Sequence, residues 1–292
     1  MVSLDFEALR NARATNPGRL AEIYANRRTR SISDGDGRLM IVAADHPARG
    51  ALAVGSNPTA MSNRYDLLER LAVAITRPGV DGVLGTPDII DDLALLGLLD
   101  DKIVVASMNR GGLRGAAFEM DDRYTAYDIE SIERDRLDFA KNLVRINLSD
   151  AGTADTLEAT ALAVSDAAEA GIPIMLEPFM SEWKDGRIVN NLSTDQVILS
   201  VAIAQGLGNS SAQSWLKLPV VDDMERVMQA TTLPTLLLGG DPGDAKGDTF
   251  AKWSNALALP GVRGLVVGRS ILYPAGDNVA ATVDTAVAMV HG

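Results

Sequence analysis

The chain has 292 residues, of which 47% are hydrophobic, 4% aromatic and none cysteine, with a formal net charge of −12. The acidic balance and scarcity of aromatics argue against a nucleic-acid binder. Without cysteine there are no disulfides, thiolate metal sites or thiol nucleophiles. No apolar run reaches the roughly 18 residues that a membrane helix needs, and no hydrophobic signal segment follows Met1, so a cytoplasmic enzyme is the expectation.

The first thirty residues carry six arginines, Arg10, Arg13, Arg19, Arg27, Arg28 and Arg30, which would suit an anion patch or a targeting peptide. Asp5, Glu7 and Glu22 interrupt them, and the spacing of Leu4, Leu9, Leu20 and Ile23 predicts amphipathic helix. Residues 1–38 are therefore read as an N-terminal helical extension, and 39–292 as the main domain.

From Leu39 onward, short apolar runs alternate with helical periodicity. Leu39–Ala44 reads as a first strand, with helix over Asn63–Ile75. Gly82–Leu84 is a second strand, with helix over Asp88–Leu99. Lys102–Ser107 is a third, followed by a Gly- and Arg-rich loop and a helix near Asp128–Lys141. Leu143–Asn147 is a fourth, with helix over Ala154–Ala170 and Gly171 as its C-cap. Pro173–Glu177 is a fifth, followed by a polar loop and helix over Thr194–Gly206. Ser214–Val220 is a sixth, with helix over Asp222–Ala230. Pro234–Gly239 is a seventh, with helix over Asp244–Leu259. Gly264–Val267 is an eighth, with helix over Asn278–Val290. Eight strand–helix units predict a single α/β domain, a (β/α)8 TIM barrel. The rival is an open doubly wound sheet, but no Gly-rich dinucleotide fingerprint follows the first strand.

The C-terminal ends of barrel strands line the active site. Here they carry Asp45 on the first strand, Arg145 and Asn147 on the fourth, Glu177 on the fifth and Lys217 on the sixth. Lys217 is one of six lysines, and it alone falls inside an apolar run that reads as a buried strand; Lys102, Lys141, Lys184, Lys246 and Lys252 fall at strand starts, on helices or in loops. A buried ammonium is costly unless it is paired or loses its proton and becomes a nucleophile, which makes Lys217 a candidate Schiff-base former. Singly, each of these residues has an ordinary explanation: a turn cap, an ion-pair partner or a snorkelling side chain. Together they favour an enzyme.

Gly239 and Gly240 after the seventh strand, and Gly268 and Arg269 after the eighth, stand where barrels usually bind phosphate. Arg49, Arg110, Arg114 and Arg187 also follow strands and would make the mouth basic, as an anionic substrate requires. With only His46 and His291, a multi-histidine zinc site cannot be built, so no metal or other cofactor is expected. A carboxylate-held magnesium among Asp45, Glu177, Asp222 and Asp241 is the alternative.

The segments Ala44-Asp45-His46, Leu176-Glu177-Pro178, Leu216-Lys217-Leu218-Pro219 and Val267-Gly268-Arg269 resemble class I aldolases of the barrel superfamily. That superfamily includes the deoxyribose-phosphate, tagatose-bisphosphate and archaeal-type fructose-bisphosphate aldolases, and the resemblance runs from about Leu39 to Val290. More narrowly, the chain is similar to an actinobacterial barrel group linked by name to deoxyribose-phosphate aldolase or to inositol breakdown. The resemblance implies Lys217 as the Schiff-base lysine, Asp45 as the first-strand acid and Glu177 as the fifth-strand glutamate. Where the tagatose-bisphosphate enzymes have a fourth-strand lysine, this chain offers Arg145, which keeps the charge but cannot shuttle protons. Pro47 and Glu177 stand where the archaeal-type enzymes have glycine and tyrosine. The implied activity is metal-independent aldol cleavage or formation on a phosphorylated sugar or sugar acid, by a homo-oligomer. The competing readings are an acyl or aldol transferase using the same lysine, and a non-catalytic sugar-phosphate-binding barrel.

Overall fold

The computed structural model describes residues 4–109, 112–240 and 249–292. The strands are β1 Leu39–Ala43, β2 Gly82–Gly85, β3 Ile103–Ser107, β4 Phe139–Ile146, β5 Ile174–Lys184, β6 Arg187–Asn190, β7 Ser214–Pro219, β8 Thr235–Leu238 and β9 Val262–Val267. The helices are α1 Phe6–Thr15, α2 Arg19–Asn26, α3 Arg64–Ile75, α4 Pro87–Leu95, α5 Ile129–Arg134, α6 Gly152–Ala170, α7 Thr194–Ala204, α8 Met224–Gln229, α9 Thr249–Leu257, α10 Arg269–Leu272 and α11 Val279–His291. All strands except β6 are parallel to their neighbours, and β4 pairs with β5 to close an eight-stranded barrel within the ring of helices.

The strand period of two divides the core into two layers. Met40 and Val42 of β1, Val104 and Ala106 of β3, and Leu216 and Leu218 of β7 pack outward against the helices. Leu39, Ile41 and Ala43, with Ile103, Val105, Phe139, Met175, Leu236 and Val266, fill the interior. The interior is packed, not a pore. Its aromatic layer is Phe139 against Trp215, edge to face with ring centroids 5.4 Å apart.

Three expectations are corrected. The helix read through Lys141 ends at Arg134, and Arg136, with φ 52, turns the chain into β4. A left-handed residue at that place is normally glycine, so the stop had no clear signal. β4 therefore begins four residues earlier than expected, and Lys141 belongs to a strand rather than a helix. The segment after Glu177, read as a polar loop, is a hairpin in which β5 runs on to Lys184 and pairs antiparallel with β6. Asp185 and Gly186, both at positive φ, form its two-residue turn. The expected start of the helix at Asp244 lies outside the described residues, as do Lys246, Asp241 and Arg110.

Helices α1 and α2 lie against α4. Several of the N-terminal arginines are tied to the barrel: Arg13 to Asp92 at 2.7 Å, Arg27 to Asp138 at 3.0 Å and Arg30 to Asp81 at 2.8 Å. Arg27 also donates to the carbonyl of Lys102 at 2.9 Å.

Candidate active site

Above the Phe139–Trp215 layer the inward faces change from apolar to charged. On β4 the inward row is Phe139, Lys141, Leu143, Arg145; on β5 it is Met175, Glu177, Phe179; on β7 it is Trp215, Lys217. The register sets Lys141 beside Met175 and Leu143 beside Glu177, and aligns Met175 with Trp215. Continuing the inward row of β1 past Ala43 brings Asp45 to the same opening. This end of the barrel holds a cavity of about 480 Å³ lined by Asp45, Lys141, Glu177 and Lys217 at its base.

These four groups are 2%, 1%, 8% and 4% exposed, respectively, so none can rely on water and each must be paired within the protein. Lys217 Nζ lies 2.9 Å from Glu177 Oε1. Lys141 Nζ bonds the other oxygen of the same carboxylate and lies 3.3 Å from Asp45 Oδ2. Ser107 Oγ donates to that Asp45 oxygen at 3.1 Å. Two ammonium groups and two carboxylates form one buried network. Burial alone would raise the Glu177 carboxyl, but the charges of Lys141 and Lys217 outweigh it and pull its pKa from 4.5 down to about 2.

Lys141 is the residue that sequence reading missed in this role. The alternation Phe139-x-Lys141-x-Leu143-x-Arg145 was its signal, obscured by the charged stretch before it. The fourth strand thus carries a lysine after all, and the cation that shares a carboxylate with Lys217 is Lys141, not Arg145.

Arg145 stands higher on the same face and lines the cavity wall, but its guanidinium is taken up by acids. Nε and Nη2 donate to Asp122 at 2.8 and 2.6 Å, and Nη1 donates to Glu119 at 3.3 Å. Asn147 does not border the cavity: its Oδ1 accepts from the Ser149 amide at 2.9 Å, and its own amide donates to Thr153 Oγ1 at 3.0 Å, shaping the approach to α6. Asn147, one of the strand-end candidates for substrate binding, is thus engaged in this local turn. Gly239, Gly240, Gly268 and Arg269 all border the cavity, together with His46, Arg49 and Lys252. Arg114 and Arg187 are exposed and do not line it. Among the described residues no cluster of three or more His, Asp or Glu could hold a metal ion, and no helix is long and apolar enough to cross a membrane.

Comparison with solved structures sets this barrel among aldolase-like folds. An archaeal fructose-1,6-bisphosphate aldolase, described with its catalytic Lys covalently bound to the carbinolamine intermediate of the substrate, superposes with a TM-score of 0.63 at 16% identity, over 94% of this chain and 100% of that one. The fructose-bisphosphate aldolase from Slackia heliotrinireducens DSM 20476 gives 0.57 at 15% identity, over 100% and 94%. At these identities the likeness is one of fold.

Within that fold class the chain belongs to the Cgl0159-like family, whose model matches residues 37–287. The crystal structure of Cgl0159 from Corynebacterium glutamicum (Brevibacterium flavum) is 68% identical, with a TM-score of 0.96 over 98% of this chain and 96% of that one. A comparison with curated proteins gave no match.

Proposed function

We propose that this protein is a class I aldolase, which makes or breaks a carbon–carbon bond in a phosphorylated sugar or sugar acid through a Schiff base on Lys217. The observation that carries the reading is the buried Lys217–Glu177–Lys141–Asp45 network at the base of the cavity. A lysine retained purely for packing has no need of a second lysine on the same carboxylate, since buried ion pairs seldom stabilise more than apolar residues would.

In the cleavage direction, Lys217 gives up its proton to water in the open cavity and attacks the substrate carbonyl carbon; the carbonyl oxygen takes up a proton to give the carbinolamine hydroxyl, which a second proton releases as water. Lys141 keeps its charge on Glu177 and Asp45 throughout. In the resting site Glu177 is held anionic by two cations and is a weak base. When Lys217 becomes the neutral amine of the carbinolamine, one of those charges is gone, and Glu177 can take and return the proton that dehydration needs. Asp45 accepts the proton of the hydroxyl beta to the iminium as the carbon–carbon bond breaks. The bonding electrons move to the iminium nitrogen, an aldehyde departs, and the remaining enamine is protonated and hydrolysed by water. Gly239, Gly240, Gly268 and Arg269 would hold the phosphate through backbone amides and the guanidinium. The same reading makes the protein a cytoplasmic homo-oligomer, which light scattering tests for assembly.

Borohydride reduction in the presence of carbonyl compounds tests the chemistry. The panel includes dihydroxyacetone phosphate, ketose phosphates, deoxyribose phosphate and the 5-dehydro-2-deoxygluconate phosphate of inositol breakdown. Mass spectrometry is expected to find the reduced adduct on Lys217, and Lys217→Met to abolish it. No adduct with any member of the panel would reject the Schiff base.

A further inference from the structure

Arg145 and Arg49 are joined by a short relay that the proposed reaction does not use. Arg145 is 1% exposed and reaches sideways from β4 into the segment 112–122. Besides its bonds to Asp122 and Glu119, its Nη2 donates to the carbonyls of Gly112, at 3.3 Å, and Glu119. Glu119 turns back to accept the Gly115 amide at 2.7 Å, and the Asp122 amide donates to Thr156 Oγ1 at 3.0 Å. One planar cation thus holds two side chains and two carbonyls of this segment. The adjoining Asn109 side chain accepts from the Leu143 amide at 2.8 Å and donates to the Leu143 carbonyl, which fixes the approach to the segment against β4.

The clamped segment in turn touches Arg49. The Arg114 amide donates to the Arg49 carbonyl at 2.9 Å, and Arg49 ends the short 3-10 turn Pro47–Arg49 that directly follows Asp45 and His46. Arg49 lines the cavity with Arg269 and Gly268, which follow β9, the strand paired to β1. Gly112 sits where a Cβ would collide with Arg145 Nη2 and the Glu119 carbonyl, and would lie 2.6 Å from Asp122 Oδ1, so the clamp closes only over glycine.

We propose that Arg49 is a further substrate-binding residue, taking the phosphate of the substrate beside Arg269, and that Arg145 is a positioning residue that seats Arg49 through the segment 112–122. This rests on the Schiff-base reading for the identity of the substrate but not for the anion itself. Arg145, neutralised by Asp122 and Glu119, makes no substrate contact.

Two measurements separate the parts. Titration calorimetry with inorganic phosphate on the full chain reads the anion site without any lysine chemistry. Arg49→Gln is expected to weaken phosphate at least tenfold, and Arg145→Lys and Gly112→Ala to weaken it several-fold. Arg49→Gln combined with Arg145→Lys should be no weaker than Arg49→Gln alone, because the two act in series. Borohydride trapping then compares dihydroxyacetone phosphate with unphosphorylated dihydroxyacetone. The concentration for half-maximal adduct should rise for the phosphate ester in all three single variants and not for dihydroxyacetone, whereas a general loss of structure would affect both. Circular dichroism confirms folding, and if Arg145→Lys does not fold, Gly112→Ala carries the same test. Unchanged phosphate affinity in Arg49→Gln would overturn the assignment of Arg49, and unchanged affinity in folded Arg145→Lys or Gly112→Ala would overturn the relay. Absence of any adduct in the parent protein, with phosphate still bound, would count against the Schiff base and not against Arg49.

Discussion

Lys217 and Lys141 share a single carboxylate: Nζ of Lys217 is 2.9 Å from one oxygen of Glu177, and Lys141 bonds the other. The two lysines come from β7 and β4, the strands on either side of β5, so the pairing depends on these three strands being neighbours in the folded sheet.

Replacing either lysine is expected to have a distinct signature. Lys217→Met should lower turnover on the order of a thousandfold and remove the borohydride adduct. Lys141→Met should lower turnover on the order of a hundredfold, as expected for loss of one charged group from the proton-transfer network. It should also destabilise the fold by about 3–5 kcal/mol, because the lysine that bridges Asp45 and Glu177 would be gone from a buried site. Steady-state kinetics and urea unfolding check the two effects separately.

Acid should unfold this barrel partly through Glu177. Its carboxyl is held at about 2 in the folded chain, against an ordinary 4.5, since the lysine charges exceed the effect of burial. A lowered pKa gives stability that is complete above about 4.5 and vanishes as pH falls toward 2, where the unfolded chain takes the proton first. At about 1.4 kcal/mol per pH unit, the contribution is roughly 3 kcal/mol. Urea midpoints measured across this range should fall more steeply for the parent protein than for Glu177→Gln.

The C-terminal helix is held by a pair that acts in the opposite direction. His291 bonds Asp36 at 2.9 Å through Nδ1 and Asp81 at 3.0 Å through Nε2. Burial would lower its pKa, but the two carboxylates raise it above 6.5. A raised pKa gives stability present in full below 6.5 and lost as pH rises through the folded value. His291→Gln should therefore cost more stability at about pH 5.5 than at about pH 8.5, in thermal melts at matched ionic strength.

Gly264→Ala should damage the barrel seam. Gly264 lies on β9 at φ 130 opposite Leu39 of β1, where a Cβ would strike the Leu39 carbonyl. Both the backbone conformation and the close approach exclude a side chain, so a loss of about 3 kcal/mol or more is expected in urea unfolding.

The sequence by itself determined the eight strand–helix units, because apolar runs and helical periodicity are local signals that each segment carries alone. It also assigned Asp45, Glu177 and Lys217 to the first, fifth and sixth barrel strands, where all three line the cavity, although β5 runs on past Glu177 to Lys184. What it did not carry was the ending of α5, made by Arg136 in a conformation that glycine usually marks, and with it the strand position of Lys141. The hairpin after Glu177 was legible in Asp185-Gly186 between alternating residues, but the polar composition masked it. Only the tertiary structure decided which cations face which acids. Arg145 and Lys141 both point inward from one strand, four residues apart, and once both stand on β4 no local pattern tells them apart. The segment 112–122 brings Asp122 and Glu119 to Arg145, while β5 brings Glu177 to Lys141, and charge pairing across such distances in the chain is set by how loops and neighbouring strands pack and not by any local pattern.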